Sequence, residues 1–423
     1  MNCSSILFVC VLSLICGLIP RLSLVHGLNF QIDSSIVLYG ENNANSFGVN
    51  SQYYNGTLLL SATRYSNGDN RGALYGYKMN LTGNISSTPL FQQYGAIFNH
   101  RYGAGININP DNQVIFVGVS GFNSNKGIVY VYDLSNQTLL YNITEPTATK
   151  FGATISSYHS YLVVKDQSYK LFIYNFTRTG ATFLYNLTYT GIDFAIDNDY
   201  LVIGADIDFS FTPNYGNVYV HHLNNGSLIK QLNGTQTTNF RLGFQVAFRY
   251  PYIVASAPFP SSGYVFIYDM TNNYQQTVLT GINFGERFGY SVALSPNNLL
   301  LVGAFQANSN TGRTDLFDFL TNTSSIYTWY GSGPAVQSGY TVSIYDDLII
   351  IHEETSPNTT VQYGSARIYQ YRTWNNPVTT TGIFNITTSS SSSGLVSTTM
   401  GTTSTSGILS ISPADCLQWL FSV

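Results

Sequence analysis

The apolar positions of this chain fall in short bursts, not at helical spacing, and each burst stands in a fixed local phrase. Leu299-Leu300-Leu301-Val302-Gly303-Ala304 is preceded by Phe288-Gly289-Tyr290-Ser291-Val292-Ala293 and followed, after a polar loop, by Gly312-Arg313-Thr314-Asp315-Leu316-Phe317. This predicts strand, turn, strand, loop, strand. The phrase recurs from openings at Phe47-Gly48, Tyr102-Gly103, Phe151-Gly152, Leu242-Gly243 and Ser338-Gly339, with a partial one at Gly191-Ile192-Asp193-Phe194-Ala195. The turn glycines at 48, 103, 152, 191, 243, 289 and 339 stand 39 to 55 residues apart. That is the span of one four-stranded propeller blade, and seven units make a closed ring.

A fourth strand lies between units, as at Phe91–Gly95, Thr277–Gly281 and Ile326–Gly331, and the same phrase stands near the start at Ser35–Gly40. The array therefore starts on a fourth strand and stops after a third. The expectation is an all-β, seven-bladed β-propeller over residues 28–376. Its N-terminal strand completes the last blade, pairing residues near 35–39 with residues near 365–370 and removing the edges of an open array.

The repeat resembles the FG-GAP motif of the integrin alpha-chain head. The resemblance rests on Phe-Gly-x-Ser-Val-Ala at 288–293, Val-Gly-Ala at 302–304 or Ala-Ser-Ala-Pro at 255–258, and Gly-x-Val-Tyr-Val-Tyr at 127–132, and it covers roughly residues 35–372. It implies an extracellular interaction or adhesion module binding a protein or glycan through loops on one face. Each Phe-Gly glycine would take positive φ or admit a neighbouring backbone, and the Gly-Ala ending would let strand two approach the axis. The family's calcium loops do not carry over. Leu294-Ser295-Pro296-Asn297-Asn298 and its counterparts lack the oxygen density, and Asp197-Asn198-Asp199 and Asn109-Pro110-Asp111-Asn112 are too short. The absence of any Gly-Gly or Trp-Asp pair disfavours kelch and WD40 propellers.

Composition narrows the setting. Only 9% of residues are charged and 15% are aromatic, which suits strands, and a net charge of −4 argues against nucleic acid as a partner. Residues 1–27 resemble a secretory signal peptide with an apolar run from Ile6 to Ile19. Cys3, Cys10 and Cys16 lie there and Cys416 in the tail, so the folded body has no cysteine chemistry. Sequons at Asn55, Asn80, Asn84, Asn136, Asn142, Asn175, Asn186, Asn225, Asn233, Asn322, Asn358 and Asn385 point to a secreted or cell-surface glycoprotein. Residues 377–406 read as a disordered Ser/Thr-rich stalk. For Gly407–Val423 two readings stand open, a lipid-anchor attachment signal and a free tail. Such an anchor would be the protein's one attachment to a membrane.

No catalytic, cofactor-binding or metal-binding residue is predicted, and no enzyme. Gly289-Tyr290-Ser291-Val292-Ala293 mimics a hydrolase elbow, but units five and seven place Gln245 and Thr341 there, so Ser291 is a strand residue of the repeat. Gly103-Ala104-Gly105 lacks a third glycine and a helix for phosphate binding. Asp206 and Asp208 are read as a solvated loop, with a weak cation contact as the alternative. His221-His222 are read as surface residues facing opposite sides, Asp346-Asp347 as a hairpin turn, and Glu353-Glu354 as a solvated loop start. The alternatives to an interaction module are a structural coat or matrix glycoprotein and, behind it, a propeller hydrolase or lyase.

Overall fold

The computed structural model describes residues 28–40, 44–65, 70–79, 85–207, 215–234, 240–354 and 364–375. The predicted leader, stalk and C-terminal segment lie outside the described residues. Twenty-eight strands form seven antiparallel four-stranded sheets. Blade 1 holds Ala44–Tyr54, Thr57–Tyr65, Ala73–Lys78 and Phe91–Tyr94, and blades 2 to 6 repeat that sequential order from first to fourth strand. The first strands touch one another in an unbroken cycle, blade 7 meeting blade 1, so they surround the axis.

Blade 7 closes as the sequence predicts. Its first three strands are Ser338–Ile344, Leu348–Glu353 and Ser365–Asn375, and its outermost strand is the N-terminal Leu28–Tyr39. The register is Ser35 opposite Tyr369, Ile36 opposite Ile368 and Tyr39 opposite Ser365. Phe30 of this strand packs against Tyr371 and meets Trp329 of blade 6 edge to face, while Leu38 enters the core shared with Phe47 and Tyr75 of blade 1. One strand thus ties blade 7 to both neighbours.

The cores sit between blades. Seven buried apolar clusters are present, one per blade interface, each drawing alternate residues from two facing sheets. All seven turn glycines have φ between +71° and +88°, a left-handed conformation that glycine adopts without a Cβ penalty. The glycine of Val-Gly-Ala has a different reason from the expected one. A Cβ on Gly303 would sit 2.1 Å from the carbonyl oxygen of Gly339, the next blade's turn glycine; for Gly118 against Gly152 the distance is 1.9 Å, and for Gly204 against Gly243 it is 2.1 Å. The close approach is to the neighbouring blade's turn, not to the axis. In blades 2, 3, 5, 6 and 7 the residue before the turn glycine then bonds back to the preceding blade, Phe151 N–H donating to Lys126 O (3.0 Å) and Leu242 N–H to Tyr215 O (3.0 Å).

The first strands still face the axis with one unpaired edge. Side chains two residues after the turn glycine cap it on the following blade. Asp193 accepts from Val246 N–H and Gln245 from Val292 N–H, both at 2.9 Å. Ser291 donates to Gly339 O (2.8 Å), Thr341 to Val49 O (3.0 Å) and Asn50 to Ala104 O (2.9 Å). Ser291 is therefore a buried edge cap, in agreement with its reading as a strand residue.

Candidate functional site: the two faces of the ring

An antiparallel meander puts the connections from strand two to three and from strand four to the next blade on one face, here the loop face. The tight one-to-two turns and the three-to-four loops lie on the other, here the turn face. Among the described residues no group of three or more His, Cys, Asp or Glu is placed to hold a metal.

The loop face carries two apolar knuckles that the sequence reading missed. Ile97-Phe98, between blades 1 and 2, are 60% and 62% exposed; Ile282 and Phe284, between blades 5 and 6, are 74% and 90% exposed. Both knuckles are held from below. Glu286 accepts from Ile282 N–H (2.5 Å) and is gripped by both terminal nitrogens of Arg313 (2.9 Å each). Arg313 Nε also meets Asp315 Oδ2 at 2.8 Å, and all three charged side chains are buried. The first knuckle is wedged between neighbouring loops. Asn70 bonds Asn99 (3.2 Å), Gly121 N–H donates to His100 O (2.9 Å), and a Cβ on Gly121 would lie 1.6 Å from Asn99 O. The other described four-to-one loops present small or polar tips, such as Pro146-Thr147 and Gly333-Pro334. A sequence signal did exist: Ile97-Phe98 and Ile282-Asn283-Phe284 are apolar residues outside any strand burst, just after a strand-ending glycine.

Inside the mouth of the loop face an aromatic arc runs over blades 5 to 7. Phe244, Tyr290 and Tyr340 occupy the position after the turn glycine, and their ring centroids are about 5.1 Å apart in succession. Arg241 and Arg287 stack on Phe259 at 4.1 and 4.9 Å. Blades 1 to 4 have Val49, Ala104, Ala153 and Ile192 at the same position. Two further departures interrupt the small-residue position of strand two, occupied elsewhere by Ser61, Gly118, Gly204, Ser256 and Gly303. Blade 3 has Lys165, whose pKa burial lowers against the pull of Asp193, Asp206 and Asp166. Blade 7 has His352, buried with neither ring nitrogen hydrogen-bonded and its pKa pushed down to about 3 by desolvation.

Several sequence readings need correction. Asp206 is not in a solvated loop: it is buried and ion-paired with Arg241, burial raising its pKa to about 6 while Arg241 opposes. Asp208 lies outside the described residues. His221 is not at the surface. It is buried between the Tyr189 hydroxyl and Gly226 O, each at 2.8 Å, while exposed His222 stacks on Tyr200. Glu353 ends a strand, buried, 3.0 Å from Arg367 and accepting from Ser332; Glu354 accepts from Ser46 across the closure seam. Their partners lie on an adjacent strand, as Arg367 does, or in a connection between blades, as Arg241, Ser332 and Tyr189 do, which local sequence does not show. Asp346-Asp347 do form the turn between Ser338–Ile344 and Leu348–Glu353.

The two faces differ in charge and in sequons. On the loop face no described carboxylate is exposed, whereas Arg71, Arg101 and Lys126 are; on the turn face exposed Asp111, Asp199 and Asp346 stand among exposed Lys78, Arg178 and Arg249. All eight described sequon asparagines are exposed. Asn55, Asn136, Asn225 and Asn322 lie in turn-face connections, Asn142, Asn186 and Asn233 on fourth strands, and Asn175 near the turn-face end of a third strand. None is in a loop-face connection. Asn80, Asn84, Asn358 and Asn385 lie outside the described residues, Asn358 between the second and third strands of blade 7. No family model and no curated protein matches this sequence.

Proposed function

We propose that this chain is an extracellular or cell-surface propeller of the FG-GAP type, an interaction or adhesion module that meets a protein or glycan partner through its loop face. The sequon pattern carries this reading. Glycans on the eight described sites would clothe the rim and the turn face and leave the described loop-face connections bare. Three motif parts repeated in register, with the turn glycines in one conformation, support the FG-GAP kinship. The signal-like residues 1–27 support export, and Gly407–Val423 offers either a lipid anchor or a free end.

The test places a glycan on the bare face. Gly285→Ser converts Asn283 into an acceptor; the added Cβ meets nothing within 4 Å, and the left-handed backbone at Gly285 (φ +79°) costs the serine about 1 kcal/mol, so the variant's unfolding midpoint is measured alongside. Full-length protein secreted by eukaryotic cells is coated on plates and scored for cell attachment. Attachment is expected to fall about tenfold with the added glycan, roughly 1.4 kcal/mol, and to persist when Asn136, Asn225 and Asn322 are changed to Gln. Loss with the turn-face changes and retention with the added glycan would overturn the assignment of the face.

A further inference from the structure

Two rigidly held, water-exposed Ile/Phe knuckles on one face call for an occupant. Isolated exposed apolar residues are common, but here the backbone beneath each is fixed by buried contacts, Glu286–Arg313 under one and Asn99 against Gly121 under the other. The fold presents these side chains outward in a set position. They stand three blade steps apart the short way round a ring of seven, nearly opposite each other. They do not form the continuous apolar patch that a paired protein copy would cover. What meets two separated points on one face at once is a plane.

We infer that the loop face seats on an anionic lipid surface, with Ile97, Phe98, Ile282 and Phe284 entering the interface between headgroups and acyl chains. Charge supports that occupant: exposed Arg71, Arg101 and Lys126 accompany the knuckles without an exposed carboxylate, whereas on the turn face exposed Asp111, Asp199 and Asp346 offset exposed Lys78, Arg178 and Arg249. This is peripheral contact, for among the described residues no helix is long and apolar enough to cross a membrane. The inference rests on the reading that the loop face is the contact face. It adds that a protein or glycan partner is met on a bilayer, to which the knuckles bind directly.

The experiment is flotation of the full-length secreted protein with vesicles of phosphatidylcholine, with and without phosphatidylserine, free of any protein or glycan. Binding is expected with phosphatidylserine, weaker without it, and reduced by added salt. Phe98→Asp combined with Phe284→Asp should weaken binding about tenfold or more, and the exposed positions should leave the unfolding midpoint unchanged. The milder Phe284→Ser should give an intermediate loss. Absence of flotation with either vesicle overturns the inference, and so does equal flotation of wild type and double variant, which would place the contact elsewhere in the chain. If vesicles fail while the glycan at Asn283 still blocks cell attachment, the loop face stands and its partner is a protein or glycan alone. If both fail, the face itself was misassigned.

Discussion

Lowering the pH from 7.5 to 5.0 singles out His352. This side chain lies at the seam where blade 7 meets blade 1, in a repeat position held by Gly or Ser in five other blades. The ionisable neighbour on its side of the strand is Glu354, whose Oε2 is 3.7 Å from Nε2 and whose other oxygen accepts from Ser46 at 3.1 Å. The Tyr340 ring is 6.1 Å away, and Glu353 points to the opposite side, engaged with Arg367. Burial pushes the folded-state pKa down to about 3, from the ordinary imidazole value of about 6.5. The folded protein thus keeps His352 neutral, while the unfolded chain takes up a proton as the pH falls below 6.5. The stability from this group is fully present above 6.5 and is lost as the pH drops toward 3. The loss is about 0.8 kcal/mol at pH 6 and about 2 kcal/mol at pH 5. A folded pKa of 4 would change the pH 5 figure by only about 0.1 kcal/mol. Denaturant unfolding of wild type and His352→Ser at both pH values isolates the effect, since Ser is the repeat's own choice at Ser61 and Ser256 and every other titrating group is shared. Wild type should lose about 2 kcal/mol more than the variant. Equal losses would show that His352 is hydrated or paired, and would refute the dry seam.

Other perturbations test the joints of the ring. Gly303→Val should cost about 3 kcal/mol or more, read as a fall in unfolding midpoint, because its Cβ would collide with Gly339 O. Arg313→Met should cost about 3–5 kcal/mol by stranding buried Glu286 and Asp315, and should speed amide exchange at Ile282. Deleting residues 28–39 should expose the edge of Ser365–Asn375 and produce soluble aggregates by light scattering, whereas an unchanged monomer would contradict closure.

The sequence showed the ring well and its surfaces poorly, for physical reasons. Strand bursts and Phe-Gly turns are local, so seven blades, four strands each, and pairing of residues near 35–39 with residues near 365–370 followed from the spacing of the repeat. The demand on Gly303, by contrast, comes from a backbone about one blade away in sequence. Asp206, Glu353 and His221 read as solvated because their partners Arg241, Arg367 and Tyr189 are distant in the chain. The knuckles were passed over because periodicity weighs strands and ignores loop tips. The contrast between faces becomes visible only once each sequon has a place on the ring.

The most direct measurement is a glycosylation-site map of the full-length protein expressed in eukaryotic cells, with its location recorded. Export with glycans on exposed turn-face and rim asparagines, Asn136, Asn225 and Asn322 among them, is the predicted result. Protein retained inside the cell with these asparagines unmodified would contradict the extracellular interaction module at its root.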